Sequence, residues 1–527
     1  MLRNLSDIDT PHLTPIQMIE DETGTLGVLE SLGGVPFSYK RLYFFTKLQH
    51  GIRRGGHAHK ALRQVFISFT GAVTIDIKSH DEVQTFRLDS NRQALVLPPG
   101  YWRDLYDFSA DALIGVLASH RYDEDDYIRE WAEFVRWDQA RTIAAVPYVD
   151  LSRYAALMGA QLVDAIEEVV FSGPLIGGPE VARFEAEFAA YCGAGGAVGV
   201  GNGLEALSLA LRAWGIGVGQ EVILPANTFI ATALAVVEAG AKPVLVDVEE
   251  ATGLIDMAKV RAAITARTGA IIPVHLYGHP CDMDQLYEIV GNRRIMILED
   301  AAQAHGALYK GRRCGSLGTA AAFSFYPTKN LGALGDAGCV TTNDADLAAR
   351  VRLLGNYGSV RKYEHLELGT NSRLDPVHAA ALNVKLDHLD ALNARRSAYA
   401  DLYLRELSGL PWLGLPHVHG WAKPVWHVFP VRIETSVRDE FLRHLADKGV
   451  GSNIHYPTPI HLQPCFKSMG LGEGSFPVSE KLSKELVSLP LDPTHTAAEI
   501  ARVIEVVRAF SPRSLPTATA PLMVRVS

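Results

Sequence analysis

Between about residues 12 and 137 the apolar residues fall in short runs separated by turns: RLYFF from Arg41, QVFISF from Gln64, AVTIDI from Ala72, ALVLPPG from Ala94 and ALIGVLAS from Ala112. Runs of this length and spacing predict an all-β sandwich or barrel. After Trp137 the texture changes. GGPEVARFEAEFAAYCG sets Val181, Phe184, Phe188 and Tyr191 on one helical face, with Pro179 suited to the first turn. AVGV from Ala197 and a helix up to Trp214 follow, then the apolar runs EVILP from Glu221, PVLVDV from Pro243, AIIPVHLYG from Ala270, RIMILED from Arg294 and AAFSFYP from Ala321. Uniformly apolar strands alternating with helices predict a parallel sheet covered on both faces. The two textures predict two domains, residues 1–140 and 146–512, meeting in DQARTIAAVPYV, with a loose Pro-, Ser- and Thr-rich tail over 513–527.

Length supports that division, because 527 residues exceed what one hydrophobic core usually holds. A formal net charge of -9 offers no general attraction to nucleic acid or acidic membranes. The five cysteines form no CxxC pair, which argues against a disulfide framework or a zinc knuckle and points to a reducing, cytoplasmic compartment. The opening MLRNLSDIDTPHL lacks the pattern of a signal peptide, and no apolar run approaches the ~20 residues that span a bilayer.

Candidate chemistry sits in both halves. AAFSFYPTKNLGALGDAG places Lys329 just past a buried strand in a Gly-rich loop, where desolvation can lower the pKa of an amine. Taken alone, such a lysine reads as a solvated surface residue. Asp300, in IMILEDAAQAHGA, follows a strand that should be buried, so it needs a partner such as a protonated pyridine nitrogen, or else it caps a helix. In the first half, RRGGHAHKALRQ puts His57 and His59 two residues apart, which on a strand directs both imidazoles to one face. An HxH pair opens many metal sites, but no glutamate follows closely and Arg103 stands where a further histidine is expected. The reading is therefore no metal. On its own, HxH on a strand fits packing as well as catalysis.

Five motifs carry a resemblance over residues 148 to 510: VGVGNGLEALSLAL, PANTFIATALA, EDAAQAHGA, FSFYPTKNLGALGD and NSRLDPVHAA. This region resembles the DegT/DnrJ/EryC1/StrS sugar aminotransferases, of the α/β fold type I that uses pyridoxal 5'-phosphate. The resemblance implies that Lys329 bonds the cofactor's aldehyde, Asp300 pairs with its ring nitrogen and Gln303 lies against its ring hydroxyl. It further implies that Phe229 covers one ring face, and that Ser324 with the backbone of Gly203 and Leu204 holds the phosphate. A helix start suits that anion. Asn371 resembles the residue that reaches the phosphate of a neighbouring subunit, which implies a homodimer or larger homo-oligomer. Lysine at position 329, where related dehydratases carry histidine, implies amino transfer with glutamate as donor. Tyr326, His427, His455 and Tyr456 fall in stretches suited to nucleotide contacts.

PFSYKRLYFF, RGGHAHKALRQ, PPGYWRDLYDFS and ASHRYDEDDYIREWAEF carry a second resemblance, to metal-free cupin 3,4-ketoisomerases of dTDP-4-keto-6-deoxyglucose. It implies a double-stranded β-helix, or jelly roll, with His57 and His59 as proton carriers and Arg54, Arg41 and Tyr43 orienting the sugar. The two resemblances imply one enzyme. Ketone migration from C4 to C3 of a dTDP-sugar would supply the substrate for amination at C3, giving a 3-amino-3,6-dideoxyhexose of the Fuc3N or Qui3N type. An alternative keeps the aminotransferase and gives the cupin only a dimerisation or ligand-sensing role. Neither implies nucleic-acid or membrane binding.

Overall fold

A computed structural model describes residues 10–512 except 23, 30–34, 36, 38, 49–50 and 143–144, so the expected tail over 513–527 lies outside the described residues. The chain divides into two compact units, Met1–Ala144 with Leu151–Asp164, and Ala145–Asp150 with Ala165–Ser527.

The first unit is a sandwich of two five-stranded antiparallel sheets. Every run anticipated from the pattern is a strand: Arg41–Phe45, Gln64–Thr70, Val73–Lys78, Gln93–Leu97 and Leu113–Ala118. Their inward residues, including Phe66, Ile75, Leu95, Leu105 and Val116, form an apolar core. A helix the pattern did not announce, Trp131–Thr142, closes the unit by setting Phe134 5.8 Å from Trp102. This is the predicted jelly roll, and its apolar core stops short of one end, where the inward positions turn polar.

The second unit is built on a seven-stranded sheet in the order Gly196–Val200, Gly338–Thr342, Ala320–Ser324, Met296–Asp300, Thr268–Ile271, Glu221–Pro225, Lys242–Val246. The expectation of a parallel sheet needs one correction. Gly338–Thr342 runs antiparallel to both neighbours, while the rest of the ladder is parallel. Helix Pro179–Cys192 buries Val181, Phe184 and Phe188 as its apolar stripe requires, and Pro179 occupies its first turn. A second core joins a three-stranded sheet, including Phe429–Ile433, to the helices Leu389–Glu406, Thr435–Asp447 and Ala497–Ala509. Among the described residues, no helix is long and apolar enough to cross a membrane.

Candidate active sites

In the second unit the chemistry collects where parallel strands end, the place at which α/β sheets bind ligands. Asp300 is the last residue of Met296–Asp300 and Ser324 the last of Ala320–Ser324. Asp300 caps no helix. Its Oδ2 accepts from Thr232 Oγ1 at 2.8 Å and its Oδ1 from the Ala302 amide at 3.3 Å. Burial pushes its carboxyl pKa up, an effect that Thr232, the Ala302 amide and Lys329 oppose. Lys329 keeps some exposed surface, yet desolvation lowers its amine pKa to about 8 against the opposing pull of Asp300. A fraction of this amine is therefore neutral and nucleophilic near neutral pH.

Gly203 and Leu204 open helix Gly203–Trp214, which Asn202 caps by accepting from the Glu205 amide. The backbone here is crowded: a Cβ on Gly203 would lie 2.6 Å from Ser324 Cβ, and one on Gly338 would lie 2.4 Å from the Asn202 carbonyl. Glycine at both positions lets the helix start lie against the end of the Ser324 strand, an arrangement suited to a cradle for a phosphate. Gln303 is locked on both sides, accepting from the Tyr277 amide at 2.6 Å and donating to Tyr456 Oη at 2.9 Å. Phe229 is exposed, 5.6 Å from the Tyr456 ring, so Tyr456 belongs beside Phe229 and Gln303. His427 bonds Asn330 Oδ1, His455 bonds Ser488 Oγ, and Tyr326 is exposed. Asn371 is exposed and bridges to Asn356. Thr232, absent from the sequence reading, is the residue that fixes Asp300.

In the first unit, His57 and His59 share a face as expected, with ring centroids 5.0 Å apart. Strand Arg54–His59 pairs with Trp102–Tyr106, setting Arg103 opposite His57. The register slips after Arg103, and Gly55, at φ +86°, makes the slip possible: a Cβ there would lie 2.4 Å from the Arg103 carbonyl oxygen. Such bulges re-aim side chains beside active sites. His59 is buried and its Nδ1 bonds Asp126 Oδ2 at 2.8 Å, so Nδ1 donates and Nε2 carries the lone pair. His57 Nδ1 bonds the Gly55 carbonyl at 2.9 Å, leaving its Nε2 likewise a base. Burial and the Arg103 charge lower the His57 pKa to about 4, and the same two causes push His59 far down. Tyr127 packs 4.2 Å from the His59 ring and 5.0 Å from that of His57.

Tyr43 and Arg41 join this cluster. Gln64 Nε2 donates to Tyr43 Oη at 2.6 Å, and the Arg41 guanidinium lies 5.2 Å from the Tyr43 ring centroid. Arg54 does not join it and stays exposed at the start of its strand. Asp126, 67 residues from His59, and Gln64 are members that sequence reasoning missed.

One further acidic cluster, His275, Glu299 and Cys314, lies within 4.8 Å in the second unit. Its atoms are engaged: Glu299 accepts from His275 Nε2 and from the amides of Gly315, Leu317 and Gly318, while burial holds the Cys314 thiol protonated. Hydrogen bonds account for this group. All five cysteines are free thiols.

Comparison with known proteins finds a family for each unit. Residues 9–139 match the family described as FdtA, WxcM-like, C-terminal. A dTDP-3-amino-3,4,6-trideoxy-alpha-D-glucose transaminase of Streptomyces venezuelae is 50% identical over 70% of this chain and 97% of its own length. A dTDP-3-amino-3,6-dideoxy-alpha-D-galactopyranose transaminase of Aneurinibacillus thermoaerophilus is 47% identical over 69% of this chain and 99% of its own. The crystal structure of S. venezuelae DesV in complex with a ketimine intermediate superposes with a TM-score of 0.68 at 50% identity, covering 69% of this chain and 98% of DesV. The cofactor of this fold is pyridoxal 5'-phosphate, and the glycine-lined cradle, the buried Asp300 and the low-pKa Lys329 suit its phosphate, ring nitrogen and aldehyde. With residues 157–508 matching its family model, the chain belongs to the DegT/DnrJ/EryC1/StrS aminotransferase family.

Proposed function

We propose that this chain is a bifunctional nucleotide-sugar enzyme. Residues 1–140 move the ketone of dTDP-4-keto-6-deoxyglucose from C4 to C3, and residues 146–512 aminate C3 with glutamate as donor, in a homodimer or larger homo-oligomer of the cytoplasm. The product is a dTDP-3-amino-3,6-dideoxyhexose. The observation that carries the pairing is a pair of neutral, same-face imidazoles at the polar end of a jelly roll, in one chain with a sugar-aminotransferase site.

Ketone migration needs a base for the C3 proton and a donor for C4. His59 is the base: Asp126 holds its Nδ1–H, so the Nε2 lone pair faces the polar end. His57 sits close enough to exchange protons with the same sugar atoms, and Tyr43 with Arg41 orients the ring. Asp126→Asn removes the anion that fixes this tautomer. It should slow migration by ~10–100-fold, read as the rate at which the 3-keto product forms with solvent deuterium at C4, while amination of supplied 3-keto sugar stays unchanged. Equal slowing of both reactions would refute the assignment of Asp126.

In the second unit, pyridoxal phosphate when bound supplies the electron sink through which nitrogen passes from amino acid to ketone. Around it, Lys329 takes and returns protons with its low-pKa amine, Asp300 keeps a negative charge beside the ring nitrogen, and Gly203, Leu204 and Ser324 hold the phosphate. Gln303, fixed by Tyr277 and Tyr456, would contact the ring hydroxyl, Phe229 would cover one face of the ring, and Asn371 would serve the partner's phosphate.

Purified protein incubated with the cofactor, glutamate and dTDP-4-keto-6-deoxyglucose should yield a 3-amino sugar by mass spectrometry and NMR. Direct amination at C4 would remove the isomerase role and leave the first unit a binding or dimerisation module.

A further inference from the structure

The polar end of the jelly roll contains a buried charge with no hydrogen-bond partner among the described residues. Arg103 is 1% exposed, among the largest fully buried side chains, and none of its three guanidinium nitrogens has a hydrogen-bond partner among the described residues. Buried polar groups are almost always paired, and an unpaired buried cation is costly, so its retention needs a reason, of which a bound ligand is one. The neighbouring orphans point the same way: His59 Nε2, Gln64 Oε1 and Arg41 Nε are also buried and unpartnered. The carboxylate of this neighbourhood, Asp126, is already committed to His59 and to the Ala61 amide. Of the other charges that reach the imidazoles, Asp104 is paired with Lys78 and Arg129 with Glu124, so among the described residues the site presents a base and the cations Arg103 and Arg41 with no uncommitted carboxylate, which is complementary to an oxyanion.

Resting on the isomerase reading above, we propose that Arg103 is the electrophile of ketone migration, its planar fork binding O3 and O4 of the sugar and holding the negative charge of the enediolate. His59 Nε2 removes the proton from C3, the C–H electron pair becomes the C3=C4 bond, and the C4=O π pair moves onto O4 beside the guanidinium. The O3–H proton then passes to O4 by way of His57, shifting the charge to O3. Finally the O3 lone pair forms the C3 ketone while the C3=C4 pair takes a proton at C4 from protonated His59. One proton leaves C3 and one arrives at C4, one leaves O3 and one arrives at O4, so no oxidant or reductant is needed. Because the charge visits both oxygens, a two-armed donor serves where a point charge would not. Arg103 stays a cation throughout, since burial lowers its pKa only to about 10. It does electrostatically what a metal ion does in other HxH sites.

The test uses the full chain with Lys329→Ala to silence amination, and adds Arg103→Met or Arg103→Lys. Arg103→Met should lower kcat for C3 deuterium exchange and ketone migration by at least ~100-fold, leave the Kd for dTDP within about threefold, and leave the melting temperature unchanged or higher. Arg103→Lys should recover only part of the rate. A dTDP affinity weakened ~10-fold or more at near-normal kcat would assign Arg103 to the nucleotide phosphates and overturn the proposal. So would a lowered melting temperature with equal loss in both variants, or migration by Arg103→Met at near the parent rate. If the Lys329→Ala parent itself moves no ketone, the isomerase reading fails first, and that outcome is distinct from the others.

Discussion

Lys329→Ala should lower amino transfer by at least ~10³-fold while the chain still converts the 4-keto sugar to its 3-keto isomer, which then accumulates. The expectation follows from placement. Strand Ala320–Ser324 ends at the cradle, and the loop after it folds back tightly, with the Lys329 amide donating to the Tyr326 carbonyl and the Ala333 amide to the Phe325 carbonyl. That turn delivers the one lysine of the site to the side of Asp300, in surroundings that lower its pKa to about 8. Alanine removes both the nucleophile and the proton carrier. Lys329→Arg keeps the charge but cannot give up a proton, so it should be as inactive. Borohydride reduction should fix the cofactor to the wild-type chain and to neither variant. Amino transfer by Lys329→Ala within about tenfold of wild type would show that another group carries the chemistry.

How these sites arose from the chain was visible in part. Lys329 and Asp300 could be placed together because each follows a run of buried apolar residues, and parallel strands bring their ends to one edge, whereas Gln303 and Ser324 came only with the family resemblance. The strand Gly338–Thr342 was not anticipated, so the sheet was expected to be parallel throughout, and a short buried run looks the same in either direction. The clue was the connection: residues 325–337 contain no helix, and a parallel return would need a crossover. In the jelly roll the alternation of HxH showed that His57 and His59 share a face, but no spacing rule links His59 to an aspartate 67 residues away. Arg103 read as an arginine in a lost ligand's place. Only its burial without a partner gives it meaning, and burial of a single cation is a property of the packed sandwich.

Glu299→Ala should destabilise the second unit by about 4 kcal/mol, because it strands a set of buried donors that the carboxylate alone satisfies. Glu299 is 0% exposed. Its Oε2 accepts from His275 Nε2 and the Gly315 amide at 2.9 Å each, and its Oε1 from the amides of Leu317 and Gly318 at 2.8 Å. His275 cannot turn away, since its Nδ1 accepts from the Cys281 amide at 3.0 Å and so fixes Nε2–H toward the carboxylate. Glutamine is no remedy: its NH₂ group would face two donors, so Glu299→Gln should keep most of the loss. The effect reaches the active site because side chains alternate along a strand. Glu299 anchors one side of Met296–Asp300 to the turn at 315–318, while Asp300 points from the other side to the cradle. Calorimetry of the full chain should therefore show the second unit's transition lowered by about 5 °C, with weaker cofactor retention and an unchanged transition for the jelly roll. A Glu299→Gln protein within about 1 kcal/mol of wild type would mean that the turn relaxes to satisfy its own amides, and that Thr232 and the Ala302 amide hold Asp300 without help from Glu299.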